Sequence, residues 1–384
     1  MRLRSVSPNE RGWTRRRSGK GFVYLDSAGQ RLPPEAAARA KALVIPPAWR
    51  DVWICPYPNG HILAVGTDAA GRRQYLYHPE WRRKRDEAKF DRILTMASLL
   101  PAARLQLQAD LDADGMHKRR VLALAVRLID IGYFRIGSDV YADEHGSYGL
   151  TTLERRHVRR RRENLVFSFV GKSGVHHEIA ISDADVCKIV DQLRRRRGGG
   201  DRLLAFRNGA RWCPVQAADV NAYLQEVFGA DVTAKDFRTW HATVIAAACL
   251  AEHATGEAAR TVRKKAIRRA VVEVSEYLGN TPTIARNSYI DPRVIDLYED
   301  GTTIAPALLM APDDPQQRQE HLEKAVLRML TEDPSSAQRS ARRLPGAQRS
   351  HGRPARQRKL ALAGLWWVRV RHGSSRTPWR TRLT

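Results

Sequence analysis

Along the first 85 residues the apolar positions fall in short runs bounded by turn residues. Phe22–Asp26 reads as one strand. Val52–Tyr57 and His61–Gly66 flank Pro58-Asn59-Gly60, a hairpin turn. Asp68–Gly71 makes a second turn before Arg73–His78. From about Pro79 onward the spacing becomes helical. Trp81–Leu100 is charged first and apolar later, and Lys118–Tyr133 gathers Val121, Leu122, Leu124, Ala125, Leu128, Ile129 and Ile131 on a broad apolar face. Leu165–Val170 and Val175–Ile181 predict two strands joined by Gly171-Lys172-Ser173-Gly174. Asp183–Arg197 predicts a helix stopped by Gly198-Gly199-Gly200. Pro214–Phe228, Thr239–Ala254 and Glu257–Leu278 predict three more, and Pro282–Tyr289 a short one. No internal repeat is visible. The expected fold class is α+β: a small antiparallel β domain over residues 1–85, then a mostly α-helical domain with an inserted β-hairpin over 86–320. Residues 321–384 are expected to form a basic tail.

Charge narrows the class of partner. The chain has 384 residues, with 66 Lys+Arg against 41 Asp+Glu, a net charge of +25. Such a balance implies a polyanion, with nucleic acid ahead of a membrane surface. No acidic residue follows Asp333, yet thirteen Lys+Arg do, so the rest of the chain carries +12. The stretch from about Pro334 to Thr384 is rich in Arg, Ser, Pro and Gly and reads as disordered, either simply solvated or tethering DNA. Cys55, Cys187, Cys213 and Cys249 stand far apart, a spacing that argues against a zinc site and against a disulfide scaffold. No apolar run approaches the roughly 20 residues of a membrane span. The basic N-terminus is not followed by an apolar signal core, so a cytoplasmic protein is expected.

In a basic, DNA-directed chain, phosphodiester cleavage needs an attacking oxygen, donors for the phosphorane oxygens and an acid for the leaving alkoxide. Leu278-Gly279-Asn280-Thr281-Pro282 is a sharp stop and restart, with Thr281 as N-cap and Pro282 at the first helical position. Asn280 then sits at a helix N-terminus, with Tyr289 about two turns on. Each also has a plain reading, Tyr289 as a core or surface tyrosine and Asn280 as a cap. Lys235-Asp236-Phe237-Arg238-Thr239 precedes an Ala-rich helix, where Arg238 could fork two bonds to a phosphate or pair with Asp236. Arg135 follows an apolar helix among aromatic neighbours and needs an anion: a phosphate, Asp139 or Glu144. Lys172, on the hairpin turn, is the only lysine between Lys118 and Lys188. Unlike arginine, it can give up its proton, which suits a general acid. The Gly-Lys-Ser tripeptide is not a P-loop, because Val166 stands where the first glycine belongs and strands follow.

Together, five separated blocks resemble the type IB DNA topoisomerases, in particular their short poxvirus-like and bacterial branch. The blocks are Phe134-Arg135-Ile136-Gly137-Ser138, Tyr148-Gly149-Leu150-Thr151-Thr152-Leu153, Phe169-Val170-Gly171-Lys172, Lys235 through Thr239, and Leu278 through Tyr289. Gln74-Tyr75-Leu76-Tyr77-His78 also looks like that family's base-contacting strand, and the resemblance covers roughly residues 20–310. The resemblance implies that Tyr289 is the nucleophile of a 3′-phosphotyrosyl intermediate. Arg135, Arg238 and Asn280 would hold the non-bridging oxygens, and Lys172 would protonate the leaving 5′-oxygen. Gln74, Tyr75 and Tyr77 would touch DNA bases. It further implies double-stranded DNA as partner, no cofactor, metal or ATP, and a monomer acting on the nucleoid. The two domains would clamp the duplex about a hinge near Pro79–Asp86. Many family members have histidine where this chain has Asn280, although an asparagine amide also donates to a phosphate oxygen.

Two other readings share part of this pattern. A tyrosine recombinase uses the same Arg–Lys–Arg–Tyr chemistry and a similar ending. The Phe-Arg-Ile-Gly-Ser block, the Tyr-Gly-Leu-Thr-Thr-Leu run and the N-terminal β domain favour the topoisomerase. A basic architectural DNA binder would carry the same charge without chemistry.

Overall fold

The computed structural model describes residues 2–139, 142, 146–253, 259–332 and 368–372, the last five through their backbone. The chain separates into two compact units, Met1–Asp91 and Arg92–Thr384. The fold is α+β.

The first unit is one antiparallel sheet with a helix. Its strands are β1 (Trp13–Ser18), β2 (Gly21–Leu25), β3 (Arg50–Ile54), β4 (Ile62–Thr67) and β5 (Arg73–Tyr77), in the order β2-β1-β3-β4-β5. Helix α1 (Pro34–Ala42) lies between β2 and β3 in sequence. Alternation along the strands gives the sheet two apolar faces. Val52, Ile54 and Ala64 pack with Ala40 and Ile45 on one. Cys55, Ile62 and Val65 pack with Val6 on the other. A register shift between Ile62 and Ala64 is what moves Ile62 to the second face. Strand β1 and helix α1 were not expected. Strand β1 is short and polar and gains its structure from pairing, whereas α1 is a short Ala-rich helix that starts at Pro34, as its local propensity favours.

Helix α2 (Pro79–Asp112) begins where the expected hinge was placed and runs on through Pro101. The expected helix stopped at Leu100. Ala103, Leu107 and Leu111 continue its buried stripe past the proline. Burial of that stripe outweighs the ~3 kcal/mol that an interior proline costs.

The second unit is built on two helices that are buried almost all round: α3 (Lys118–Gly132) and α6 (Ala234–Glu252). A helix apolar on every side belongs inside a core. Against them pack α4 (Ala184–Arg195), α5 (Ala217–Phe228), α7 (Arg260–Leu278), α8 (Pro282–Ser288), α9 (Pro292–Glu299), α10 (Ala305–Leu309) and α11 (Pro315–Thr331). The expected hairpin is β7 (Asn164–Val170) with β8 (His176–Ile181), paired from Leu165↔Ile181 to Val170↔His176. It belongs to a larger sheet. Strand β6 (Val158–Arg161) pairs with β7, and β11 (Val368–His372) pairs with β8. A separate hairpin, β9 (Ala205–Asn208) and β10 (Arg211–Pro214), takes the residues just before α5. The expected tail from residue 321 begins inside α11, which ends at Thr331. Apart from β11, its stretch from Pro334 onward lies outside the described residues. Among those described, no helix is long and apolar enough to cross a membrane. Cys55, Cys187, Cys213 and Cys249 are free thiols.

Helix α6 starts five residues earlier than its apolar pattern suggests. Thr233 is its N-cap, and the Asp236 carboxylate accepts from Thr233 N (2.8 Å) and Thr233 Oγ1 (2.9 Å). This reciprocal cap nucleates the turn that carries Arg238. Asp236 also accepts from Arg92 Nη2 at 2.8 Å. Replacing Asp236 with Ala should therefore destabilise the protein by about 2 kcal/mol, at the upper end for a lost cap. Urea unfolding followed by circular dichroism measures this; an unchanged midpoint would show that the cap does not hold the helix start.

Candidate active site

The local folding of three segments brings the expected catalytic groups together. At the end of α3, Tyr133 adopts a left-handed conformation (φ 54°) and turns the chain so that Arg135 points back over α7. Arg135 Nη2 donates to Gly279 O (3.2 Å) and to Asn280 Oδ1. At the end of α7, Gly279 is also left-handed (φ 58°), and Asn280 N closes the turn on Ser275 O at 3.0 Å. Thr281 then caps α8, accepting from Ile284 N, and Tyr289 closes that helix with its N–H on Ala285 O. Asn280 is thus the residue before the cap rather than the cap itself.

Arg238 lies in the second turn of α6, not ahead of the helix as the sequence suggested. It is 4 % exposed. It donates through Nη1 to Tyr133 O (2.5 Å) and through Nη2 to Leu278 O (2.7 Å). Its guanidinium carbon stands 5.6 Å from the centre of the Tyr289 ring. Asp236, the partner considered for it, is engaged instead by the helix cap and Arg92. Asp139 likewise pairs with Arg202 at 2.8 Å rather than with Arg135, and Glu144 lies outside the described residues. Thr243, one turn further along α6, accepts from Asp291 N at 3.1 Å and fixes the backbone just after Tyr289.

Arg135, Lys172, Asn280 and Tyr289 line one cleft of about 410 Å³. Lys172 reaches it from the tight turn between β7 and β8, where Ser173 takes a left-handed φ of 65°. It is exposed, and among the described residues no carboxylate pairs with it. The Asn280 side chain is held by its oxygen alone. Its Nδ2 is buried and has no hydrogen-bond partner. A buried unsatisfied donor costs about 1–3 kcal/mol and calls for an acceptor.

The electrostatics run in one direction. Burial would raise the Tyr289 phenol, but the guanidiniums of Arg238 and Arg135, a hydrogen bond from Arg238 and the charge of Lys235 hold it below its ordinary value. Arg238 itself is lowered to about 10, first by burial and then by Arg135, with Tyr289 acting against both. Burial likewise lowers Arg135. Two close cations without a counter-anion among the described residues describe a site suited to one. Lys235 stood in the sequence block but was given no role. Its spacing of three from Arg238 places both on one side of α6.

Gln74, Tyr75 and Tyr77 lie on edge strand β5 of the first unit, but not together. Tyr75 and Tyr77 share one face, with ring centres 5.8 Å apart and planes 10° apart. Tyr77 stacks in turn on Trp81 at 4.3 Å. Gln74 belongs to the opposite face by alternation, and its Nε2 donates to Asp68 Oδ2 at 2.9 Å. Trp81, the third ring of the ladder, was read only as the start of a helix.

Comparison with known proteins identifies the family of the chain. Residues 78–302 match the family described as eukaryotic DNA topoisomerase I, catalytic core. Residues 21–68 match that described as bacterial DNA topoisomerase IB, N-terminal domain. A DNA topoisomerase 1B of Acanthamoeba polyphaga mimivirus is 29% identical over 298 residues, spanning 75% of this chain and 88% of the relative. A DNA topoisomerase 1B of Vaccinia virus (strain Copenhagen) is 22% identical over 245 residues, 62% of this chain and 73% of the relative. A DNA topoisomerase 1 of Daucus carota is 30% identical over 129 residues, 33% of this chain and 15% of the relative.

The charge arrangement around Tyr289 can be read directly. In protein carrying 3-fluorotyrosine, the fluorine resonance lost in Tyr289→Phe should titrate at lower pH than that of a model 3-fluorotyrosine peptide. Arg238→Ala removes a cation that favours the phenolate, so the titration should move to higher pH. No movement would mean that Arg238 does not act on Tyr289.

Proposed function

The chain belongs to the type IB DNA topoisomerases, and we propose that Tyr289 Oη is the atom that breaks and remakes the DNA strand. The enzyme isomerises DNA topology: it nicks one strand, lets the duplex swivel and reseals it. The observation that carries the assignment of roles is the convergence of Tyr289, Arg135, Asn280 and Lys172 on one cleft, with Arg238 buried beside Tyr289.

Tyr289 Oη attacks phosphorus, forming the bond to the 3′-phosphate as the bond to the 5′-oxygen breaks. An ordinary tyrosine, with a pKa of about 10, is ionised at pH 7 only about once in a thousand. The two guanidiniums favour the phenolate and so assist the attack. As the phosphorane forms, charge grows on its non-bridging oxygens. Arg135 and Asn280, whose Nδ2 has no other partner, line the cleft to receive it, and the buried Arg238 stabilises it from beside Tyr289. Loss of one such donor typically costs on the order of 10²–10³ in rate. The Asn280 amide supplies a neutral donor where many relatives carry histidine, so the charge work falls more heavily on the arginines. Lys172 Nζ gives its proton to the departing 5′-oxygen, and in resealing takes it back from the 5′-hydroxyl. The ester energy stays in the phosphotyrosine, so resealing needs no nucleotide. Tyr75, exposed on the edge strand, and Tyr77, half-buried beside it and backed by Trp81, contact bases of the bound duplex. The protein acts as a monomer on nucleoid DNA.

The test is relaxation of supercoiled plasmid in EDTA without ATP. The wild type should give a ladder of topoisomers, Tyr289→Phe should bind DNA and relax nothing, and Lys172→Ala should cleave at least a hundredfold more slowly, as expected for a lost general acid. Relaxation by Tyr289→Phe would overturn the assignment of the nucleophile. A requirement for paired sites, with recombinant products, would point to a recombinase instead.

A further inference from the structure

Beneath the site lies a buried ionic cluster that the cleavage chemistry does not touch. Arg104, on α2, donates Nε to Asp130 Oδ2 (2.9 Å) and Nη2 to Asp130 Oδ1 (3.0 Å). The same guanidinium donates Nη1 to Glu323 Oε2 (2.6 Å) and Nη2 to Glu323 Oε1 (3.0 Å). His241 Nε2 stands 3.1 Å from Asp130 Oδ1, and Gln319 Nε2 donates to Glu323 Oε1 at 2.9 Å. The side chains of Arg104, Asp130 and Glu323 are 9 %, 1 % and 8 % exposed. Asp130, His241 and Glu323 lie close enough to suggest a metal set, but the Arg104 guanidinium fills the space between the two carboxylates.

Four helices meet in this cluster; α6 carries Arg238, and Arg135 follows three residues after the end of α3. Asp130 lies on α3 three residues before Tyr133 and five before Arg135. His241 lies on α6 three residues after Arg238, on the same side of the helix. The Asp130–His241 contact therefore ties α3 to α6 one turn from the place where Tyr133 O accepts from Arg238. The Tyr133 ring meets the His241 ring edge-on, with centres 5.2 Å apart and planes at 89°. Glu323 comes from α11 and closes the cluster by holding Arg104 from its far side. Helix α11 lies beyond residues 78–302, where the match to the catalytic core ends.

We propose that Glu323 is a positioning residue of the cleavage reaction, and that α11 acts through it to hold Arg135 and Arg238 at the spacing that the scissile phosphate requires. The proposal rests on the reading that these two arginines bind that phosphate. Without the Glu323 charge, Arg104 is drawn wholly to Asp130, the α3–α6 contact shifts, and both arginines move relative to Tyr289. A misplacement of about 1 Å in such a site costs on the order of 10²-fold in rate.

The experiment uses the full chain and its Glu323→Gln, Gln319→Ala and Arg238→Ala variants. Covalent adduct formation is followed in single turnover on a nicked duplex, at saturating enzyme and across pH, beside DNA affinity and melting temperature. For Glu323→Gln, the adduct should form tenfold to a hundredfold more slowly, with full amplitude and DNA affinity within twofold of wild type. Its pH–rate profile should move to higher pH as Tyr289 loses its cationic surroundings. A purely structural role would lower melting temperature and amplitude but leave the rate constant and the pH midpoint of the folded fraction unchanged, and that result overturns the proposal. Should Glu323→Gln fail to fold, Gln319→Ala, which removes only a neutral bond to Glu323, is read by the same criteria with a smaller slowing of about threefold. A wild-type rate in Arg238→Ala would overturn the reading of the arginines themselves. A slow Arg238→Ala beside a wild-type rate in the folded Glu323 or Gln319 variant would overturn the positioning role alone.

Discussion

The Arg238 guanidinium is buried and anchored by two carbonyls, Tyr133 O and Leu278 O, each at the C-terminal end of a helix. Helix C-termini carry unsatisfied carbonyls and partial negative charge. They can hold a cation inside a protein without a carboxylate, and among the described residues no carboxylate pairs with this one. Much of the second unit serves that arrangement. Helix α3 must end where it does so that Tyr133 offers its carbonyl. Helix α7 must end at Leu278 and turn through Gly279, which also presents Gly279 O to Arg135. Helix α6 must begin at its Thr233–Asp236 cap so that Arg238 falls between the two ends. A buried carboxylate would satisfy the guanidinium more fully, but it would compete with phosphate for the same donors.

The chemistry was more legible in the sequence than the elements that support it. The roles proposed for Tyr289, Arg135, Lys172, Asn280 and Arg238 come from blocks whose order along the chain is readable, and four of these residues line one cleft. The β7–β8 hairpin and the stop at Gly279 were readable because turn residues act locally. The start of α6 was missed because the reading followed the apolar run from Thr239, while the cap that begins the helix is polar. The extension of α2 through Pro101 was missed because its reason, a stripe buried against other helices, lies far away in sequence. Gln74 was grouped with Tyr75 and Tyr77 by adjacency, whereas the two-residue alternation of a strand separates it from them. Nothing local signalled that Glu323 would be buried. Only the arrival of Arg104, 219 residues earlier in the chain, makes that possible.

Within the second unit, rigidity is graded. Helices α3 and α6 are enclosed on nearly every side, and Trp240, Phe134 and Phe237 are among the largest fully buried side chains. Close packing of this kind transmits small displacements instead of absorbing them. Arg135 and Arg238, the groups proposed to keep register with the phosphate, are mounted on or beside these two helices. Tyr289 is less enclosed, but its backbone is fastened to α6 through Thr243.

Lys172 is the exception, since it sits at the exposed tip of a two-strand turn and outside this framework. In its proposed role it gives a proton to the 5′-oxygen in cleavage and takes it back in resealing, acting from a place apart from the rigid groups. Cleavage and resealing pass through the same transition state, so the lysine and the arginines act on both rates. Between nick and closure the free duplex end rotates, so the number of superhelical turns lost per event is the rotation rate multiplied by the lifetime of the gap. With the proposed role of Lys172, that lifetime also responds to a surface turn, where substitutions disturb no core.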